Sequence, residues 1–349
     1  SSNEANPTHT FATPGTYLIE FTVTDEEGAT DTDIDTITVL EQGSSSGGNT
    51  GGSNGNYPSH AVFASSYGFQ AGDATEAFED ALRSGNSYIV IDKQSSDWII
   101  KPTKFFDLRN TTIVFEEGVK LRAKPGAFSA SNAILMLLSR PQNVTIEGYG
   151  AELKMNKSEY TSGDGRHAFA IYQGNGVTVK GLTFRDSGGD GIYLTGGGSV
   201  GSYSQNITIQ DILSTNNRRQ GMSIISAQDV WVRNSEFSRS NGISPEAGVD
   251  LEPNKPEERL VNINFSNCKF NNNDSHGFVI GTNKLTSSSI PISVTVKDSY
   301  FSNNSLSPNG TSIKSELLLS QGTHNDPVKG SATFERISFK DRISANFFV

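Results

Sequence analysis

One cysteine in 349 residues, Cys268, rules out an internal disulfide framework and a multi-cysteine zinc site. It lies in the alternating run Ile263-Asn264-Phe265-Ser266-Asn267-Cys268-Lys269-Phe270, where a small buried core residue is the expected role. No stretch approaches the ~18–20 consecutive apolar residues of a membrane-crossing helix. The first residues show no basic segment leading into an apolar one, so no secretory leader is read there. Positive charge is also scarce: 28 Lys+Arg stand against 38 Asp+Glu, a formal net charge of −10. That balance lacks the basic face of a general nucleic-acid binder. The deficit is local. Residues 1–42 carry nine acids and no Lys or Arg, which leaves 28 bases and 29 acids in residues 43–349. Two physically different units are joined in one chain.

Within the acidic unit, Tyr17, Ile19, Phe21 and Val23 alternate with polar residues, as do Ile34, Ile37 and Val39 across the turn Asp25-Glu26-Glu27-Gly28. This predicts two strands and a tight turn closed by glycine. Pro14-Gly15-Thr16-Tyr17 and Val23-Thr24-Asp25-Glu26-Glu27-Gly28-Ala29-Thr30-Asp31 resemble the second half of a PKD-type immunoglobulin-like domain. The resemblance covers residues 1–42 and implies a partial β-sandwich, an accessory module of secreted proteins that can join further domains upstream. Residues 43–56 are glycine, serine, asparagine and threonine only, and read as a flexible linker.

From residue 57 the pattern changes. Asp73 to Gly85 reads as one amphipathic helix with Ala74, Phe78, Ala81 and Leu82 on its apolar face, Asp73 as N-cap and Gly85 as its stop. No further helix is expected. Short strands recur instead: Gln142-Asn143-Val144-Thr145-Ile146, Gly176-Val177-Thr178-Val179, Asn206-Ile207-Thr208-Ile209, Asp229-Val230-Trp231-Val232, Val261-Asn262-Ile263, Val294-Thr295-Val296 and Ala332-Thr333-Phe334. Between them a second motif returns as Asp190-Gly191-Ile192, Gln220-Gly221-Met222, Ala247-Gly248-Val249 and His276-Gly277-Phe278, at steps of 30, 27 and 29 residues. Short strands without helices, on a period near 30, describe the coils of a parallel β-solenoid stacked about 4.8 Å apart. Corners such as Asn271-Asn272-Asn273 and Asn303-Asn304 fit polar ladders with left-handed backbone. The helix fits a cap over the first coil's open edge.

The capping helix, the early Phe106-Asp107-Leu108-Arg109-Asn110 coil and the Gly-Asp-Gly-Ile repeat together resemble the pectate-lyase-like right-handed parallel β-helix superfamily over residues 57–349. The expected fold class is therefore all-β, a right-handed β-helix with an N-terminal capping helix, preceded by the partial PKD-like piece. The superfamily spans lyases, glycosidases, epimerases, tailspikes and adhesins, so function must be argued from a site.

Aligning coils on the recurring glycine turns Phe169/Ile171, Ile192/Leu194, Met222/Ile224, Val249/Leu251 and Phe278/Ile280 inward. The alternate positions then line one outer, solvated face with His167, Asp190, Tyr193, Gln220, Asp250, Glu252 and His276. Arg166, Arg218 and Arg219 stand at its edge, and Glu246 in the preceding turn. Asp250 and Glu252, at i and i+2 on a strand, sit about 6–7 Å apart between Cα atoms. Such a pair suits acid–base work on a glycosidic bond. Asp190 and His276 join them as candidate catalytic groups; His167, Tyr193, Arg218, Arg219, Gln220 and Glu246 are candidate substrate contacts. Trp231 alternates outward and could stack on sugar, whereas Trp98 reads as core.

The Asp-x-Glu pair, with a Gln one coil earlier and a His one coil later, resembles the site layout of iota-carrageenase-type glycosidases. The Gly-His-Gly and Arg-x-Lys pattern of polygalacturonases and the Asp-Pro-His motif of mannuronan epimerases are missing. The expected function is a secreted or cell-surface polysaccharide depolymerase, a glycoside hydrolase whose arginines favour a uronic or sulfated polymer. One alternative is a lyase or C5-epimerase with His276 or Tyr193 as base and Arg219 neutralising the carboxylate. Another is a glycan-binding or adhesion solenoid without catalysis. No cofactor is expected; Asp/Asn turns could bind calcium, but no EF-hand or nonapeptide motif supports it.

Overall fold

A computed structural model describes residues 15–24, 28, 30–39, 57–304, 315–321, 325–340 and 347–348. The chain divides into two compact units, Ser1–His60 and Ala61–Val349. In the first, Gly15–Thr24 and Thr30–Val39 form an antiparallel pair in which Tyr17 faces Ile37 and Val23 faces Asp31. Gly28 in the connecting turn has φ 87°, the left-handed conformation expected of it. The glycine/serine linker lies outside the described residues.

The second unit is a three-sided solenoid. Ten strands from Val62–Phe63 to Gly330–Glu335 stack into one sheet, nine from Trp98–Ile100 to Ser338–Lys340 into a second, and nine from Thr103–Phe106 to Phe347–Phe348 into a third. Every pairing in these sheets is parallel and joins a strand to its counterpart one coil away. In the third sheet Ile192 pairs with Met222, Met222 with Val249 and Val249 with Phe278, so the inward register read from the glycine repeat holds. All of these inward residues are buried. No helix among the described residues is long and apolar enough to cross a membrane.

Two kinds of stack hold the coils together. Inside, Phe237, Phe270 and Phe301 lie on one another with ring centroids 5.8 and 4.7 Å apart, and the exposed Phe339 continues the stack at 5.3 Å. At the corners, asparagine and aspartate adopt left-handed backbone, including Asn143, Asn206, Asn234, Asn267, Asn272 and Asn303. Their side chains bond up the axis, as Asn267 Nδ2 does to Asn234 Oδ1 at 2.9 Å. A buried version runs deeper. Asn273 Nδ2 donates to Asn304 Oδ1 at 2.8 Å, and Asn273 Oδ1 accepts the Ser240 N–H at 2.9 Å. These amides satisfy backbone groups that corners would otherwise leave unpaired in the interior.

The helix runs over Thr75–Arg83 and buries Phe78, Ala81 and Leu82; Phe78 packs against Trp98, Phe105 and Phe115. Ala74 occupies the N-cap position, one residue past the expected Asp73. Asp73 still does the capping, because its Oδ1 accepts the Thr75 N–H at 3.2 Å. The aromatic cluster closes the solenoid's first coil, and Trp98 is core as expected. Cys268 is likewise buried, and burial pushes its thiol up to about 12, so it stays a neutral packing residue.

Replacing Asn273 by alanine removes a fully buried amide and orphans the Ser240 N–H. We expect a loss of about 2–3 kcal/mol in urea unfolding. Asn267→Gly keeps the left-handed corner and deletes only an exposed bond, so its loss should stay under about 1 kcal/mol. Equal losses at the two positions would contradict this account of the corners.

Candidate active site

The recurring glycine sets the site's frame. A Cβ at Gly221 would lie 2.5 Å from the Gly248 carbonyl oxygen, and one at Gly248 equally close to that of Gly277. Only glycine lets the corner amides close beneath this turn, and the residue beside it is held in a fixed row. Backbone hydrogen bonds lock that row: Gly191 N–H to Gln220 O, Gly221 N–H to Ala247 O and Gly248 N–H to His276 O. The next row outward aligns Ala170, Tyr193, Ser223, Asp250 and Val279.

These rows bring Asp190, Arg219, Gln220, Ser223, Asp250 and Glu252 into one bonded cluster. Arg219 Nη2 meets Glu252 Oε1 at 2.6 Å, and Nη1 meets Gln220 Oε1 at 2.7 Å and Asp190 Oδ2 at 3.4 Å. Gln220 Nε2 donates to Asp250 Oδ2 at 2.6 Å, while the Ser223 hydroxyl reaches Asp190 Oδ2 at 2.8 Å and also contacts Gln220 Oε1. The expected solvated face is not what forms. Asp190 and Gln220 are wholly buried and Asp250 is 4% exposed, each packed against its neighbours in the cluster. Glu252 keeps a quarter of its side chain exposed.

Burial dominates the electrostatics. It pushes Asp190 up to about 6, against the pull of Arg219 and Ser223. Asp250 is driven well above the carboxylate range by burial and then by the Glu252 charge, and Glu252 is raised by burial against the pull of Arg219. Buried Oδ1 atoms of Asp190 and Asp250 have no hydrogen-bond partner among the described residues. His167 Nδ1 accepts the Asp190 N–H at 3.0 Å, which makes Nδ1 the unprotonated nitrogen. Burial and Arg219 lower His167 to about 3, so the ring is neutral, and its 3.4 Å approach to Asp190 Oδ2 is no ion pair at neutral pH. Its ring stacks on Tyr193 at 4.3 Å and 3°.

A cleft of about 310 Å³ opens over this cluster, lined by Glu252, Tyr193, Tyr172, His167 and Arg219 together with Asp164, Asn132 and Asn254. Asp164 was not foreseen. It rides on a strap, residues 160–166, that crosses the outer face. Arg166 anchors the strap to the Phe128 and Ser129 carbonyls at 2.8 Å each and to Ser162 O. Arg218, two coils on, donates to the Gly163 and Thr161 carbonyls. The strap can sit this low because of Gly188 and Gly189. A Cβ at Gly188 would lie 2.5 Å from Tyr160 Cδ2, and one at Gly189 would overlap the Asp164 carbonyl oxygen. The pair Gly188-Gly189 under the glycine-flanked Asp164 was the signal in the sequence.

Three expected site residues lie elsewhere. His276 Nδ1 bonds to Ser315 at 3.2 Å, and its ring lines a different, more apolar cavity with Pro245, Val279 and Leu318. Arg218 is taken up by the strap carbonyls. Glu246 Oε1 accepts the Gly242 N–H at 2.8 Å within its own turn. Gln220 is in the cluster but, being fully buried, bridges Arg219 and Asp250 rather than facing the cleft. Trp231 is half-buried on the first sheet, away from these rows. No group of three or more His, Cys, Asp or Glu among the described residues is arranged to hold a metal ion.

The comparisons agree with the architecture. The family model for the right handed beta helix region matches residues 88–325, and that for the PKD domain residues 1–39. No curated protein matches the sequence. Among solved structures, the chain is similar to the pre-mature gene product 12 of bacteriophage phi29, at 13% identity and a TM-score of 0.55, over 80% of this chain and 42% of that one. It is similar to the Agl-KA catalytic domain at 14% identity and TM-score 0.50, over 90% of this chain and 58% of that one. An iota-carrageenase of family GH82 from A. fortis gives 12% identity and TM-score 0.50, over 80% of this chain and 70% of that one. The chain thus spans about half the length of the first two, and at these identities the likeness concerns the fold. By its coils, its three parallel sheets and the match to two-thirds of its length, the chain belongs to the right-handed β-helix family.

Proposed function

We propose that this protein degrades a polysaccharide, and that it does so as a glycoside hydrolase with Glu252 as its general acid. The carrying observation is the Asp250–Glu252 pair, held by Arg219 and Gln220, with Glu252 lining a sugar-sized cleft and Asp250 buried behind it. Two carboxylates this close share a proton at neutral pH, because burial makes a second negative charge costly. Glu252 is the member that reaches the cleft, so it delivers the proton to the glycosidic oxygen. Asp250 does not line the cleft and acts through Glu252, as the group that keeps the proton available. This departs from the expectation that both carboxylates meet the substrate. The second cleft carboxylate is Asp164, on the strap. It is placed to activate water or to stabilise the positive charge that develops on the sugar ring. The Tyr193 face, backed by His167, offers a stacking surface for a pyranose.

Solved structures of similar fold include a catalytic domain and a carrageenan-named hydrolase, which fits this reading without fixing the chemistry. The lyase or epimerase alternative loses its proposed bases. His276 is outside the cleft, and burial raises the Tyr193 hydroxyl above its ordinary value, away from ready deprotonation. A polysaccharide panel separates the readings: new reducing ends without an unsaturated-uronate absorbance support hydrolysis, whereas that absorbance supports elimination. A solenoid that binds one glycan and cleaves none would be a binding module.

Glu252→Gln should lower kcat by about 10²–10⁴-fold, the usual contribution of a positioned acid. Asp250→Asn tests the shared proton. In the native pair the acid-competent state persists until the last proton leaves, above the ordinary carboxylate range. With Asp250 neutral, Glu252 titrates alone beside Arg219, so the alkaline limb of kcat/KM should move to lower pH. An unmoved limb would sever Asp250 from the mechanism.

Gly189→Ala should lift the strap and its Asp164 out of place, lowering kcat/KM by about 10²-fold while far-UV circular dichroism stays native. Full activity in that variant would remove the strap from the site.

A further inference from the structure

We propose that the sugar unit seated between Glu252, Asp164 and the Tyr193 ring carries no anionic group, so that the cleft excludes uronates and sulfated sugars. This rests on reading the cleft as a glycosidase site and narrows its substrate class. It also reverses the preference that Arg166, Arg218 and Arg219 at the edge of the face suggested.

The cations that decide this are those that the strap and the cleft lining hold; Lys255, beside Asn254, is exposed and does not line the cleft. Arg166 is 5% exposed, with its guanidinium on the carbonyls of Phe128, Ser129 and Ser162. Arg218 is occupied by Gly163 and Thr161 carbonyls. The Lys157 ammonium sits among Asn241 Oδ1 at 2.8 Å, Asn216 Oδ1 at 3.2 Å and the Asn217 carbonyl at 3.2 Å. Arg219, the sole Lys or Arg among the residues lining the cleft, is engaged by Glu252, Gln220 and Asp190. None of the four is left to meet a ligand anion.

Against that one engaged cation stand four carboxylates. Glu252 and Asp164 line the cleft, and Asp190 and Asp250 lie directly behind it. Even with one proton shared by Asp250 and Glu252, negative charge outnumbers positive. A carboxylated or sulfated sugar would have to displace Glu252 from Arg219, leaving the acid unpaired, while facing Asp164 across the cleft. A neutral sugar meets no such conflict. Its hydroxyls can donate to Glu252 and Asp164 and accept from the amides of Asn132 and Asn254. Exclusion of a like charge at a few Å, in a site partly shielded from water, corresponds to at least about tenfold in affinity.

The test uses matched polymers that differ only in charge: polyuronates against their carboxyl-reduced forms, sulfated galactans against their desulfated forms, with neutral glucans, mannans and xylans alongside. Cleavage is read as reducing ends and binding as calorimetric affinity, both on the full native chain, with binding taken in the cold where turnover is slow. The expected result is that neutral members are bound and cleaved, and that each anionic partner is at least about tenfold worse at low salt, with the gap shrinking as salt screens it. In Asp164→Asn the gap in binding should narrow. Equal or better cleavage of an anionic member overturns the inference and leaves the hydrolase reading standing. Binding of neutral members without cleavage overturns the hydrolase reading and leaves the charge filter standing. Neither binding nor cleavage of any polymer overturns both.

Discussion

Each coil of this solenoid rests on the next at the spacing of hydrogen-bonded strands, about 4.8 Å. The constraint works on both faces of a strand. Inward, it stacks phenylalanine on phenylalanine and lets small changes in coil length be absorbed at corners. Outward, it forces every side chain to lie against the corresponding side chain of the neighbouring coil. A charge placed on the outer face therefore acquires neighbours at contact distance whether or not the surface is wet. Asp190, Gln220 and Ser223 meet for this reason, as do Arg219 and Glu252.

With the side chains of those rows packed against one another, the outer face becomes a second interior, polar rather than apolar. Burial then does what charge alone would not: it neutralises His167, raises Asp190 and Asp250, and leaves Arg219 as the hinge of the network. The same packing draws Arg166 and Arg218 into holding a strap. A count of arginines on a face describes potential only while they are free. A guanidinium whose N–H groups are taken by backbone carbonyls keeps its charge but has no donor left for a ligand anion, so only the groups that line the cleft meet the ligand directly.

The repeat was legible because the solenoid writes its period directly into the sequence. Gly191, Gly221, Gly248 and Gly277 mark where a corner amide passes under the turn, and the residues two and four positions on alternate with the strand pleat. From that register alone Asp190, Gln220, Asp250 and Glu252 could be placed on one face, with Arg219 at its edge. What the register does not carry is the third dimension contributed by loops. His276 obeys the same alignment as Asp190, yet the chain around Ser315 claims its ring. Arg218 and Glu246 are drawn off by carbonyls and amides of their own surroundings. Asp164 lay in a turn with no periodic signal. Its importance follows from two glycines, 188 and 189, on the adjacent coil, whose missing side chains make room for the strap, a contact that the repeat period does not encode.

The energetic cost of this cluster bears on what it is for. The outward row that includes Ser223 and Asp250 also includes Ala170 and Val279, and both are buried where they stand. The scaffold accepts apolar residues in that row without distortion, and a buried carboxylate with an unpartnered oxygen is less favourable there than alanine or valine. Three buried or half-buried carboxylates around one arginine thus lower the stability of a fold that has cheaper ways to fill the same positions. Repeat architecture can bear such a local loss, because neighbouring coils stabilise one another independently of the strained one. A polar network that destabilises its own scaffold, opens onto a cleft and raises the proton affinity of the group facing that cleft has the physical character of a site built for proton transfer rather than for holding the coils together.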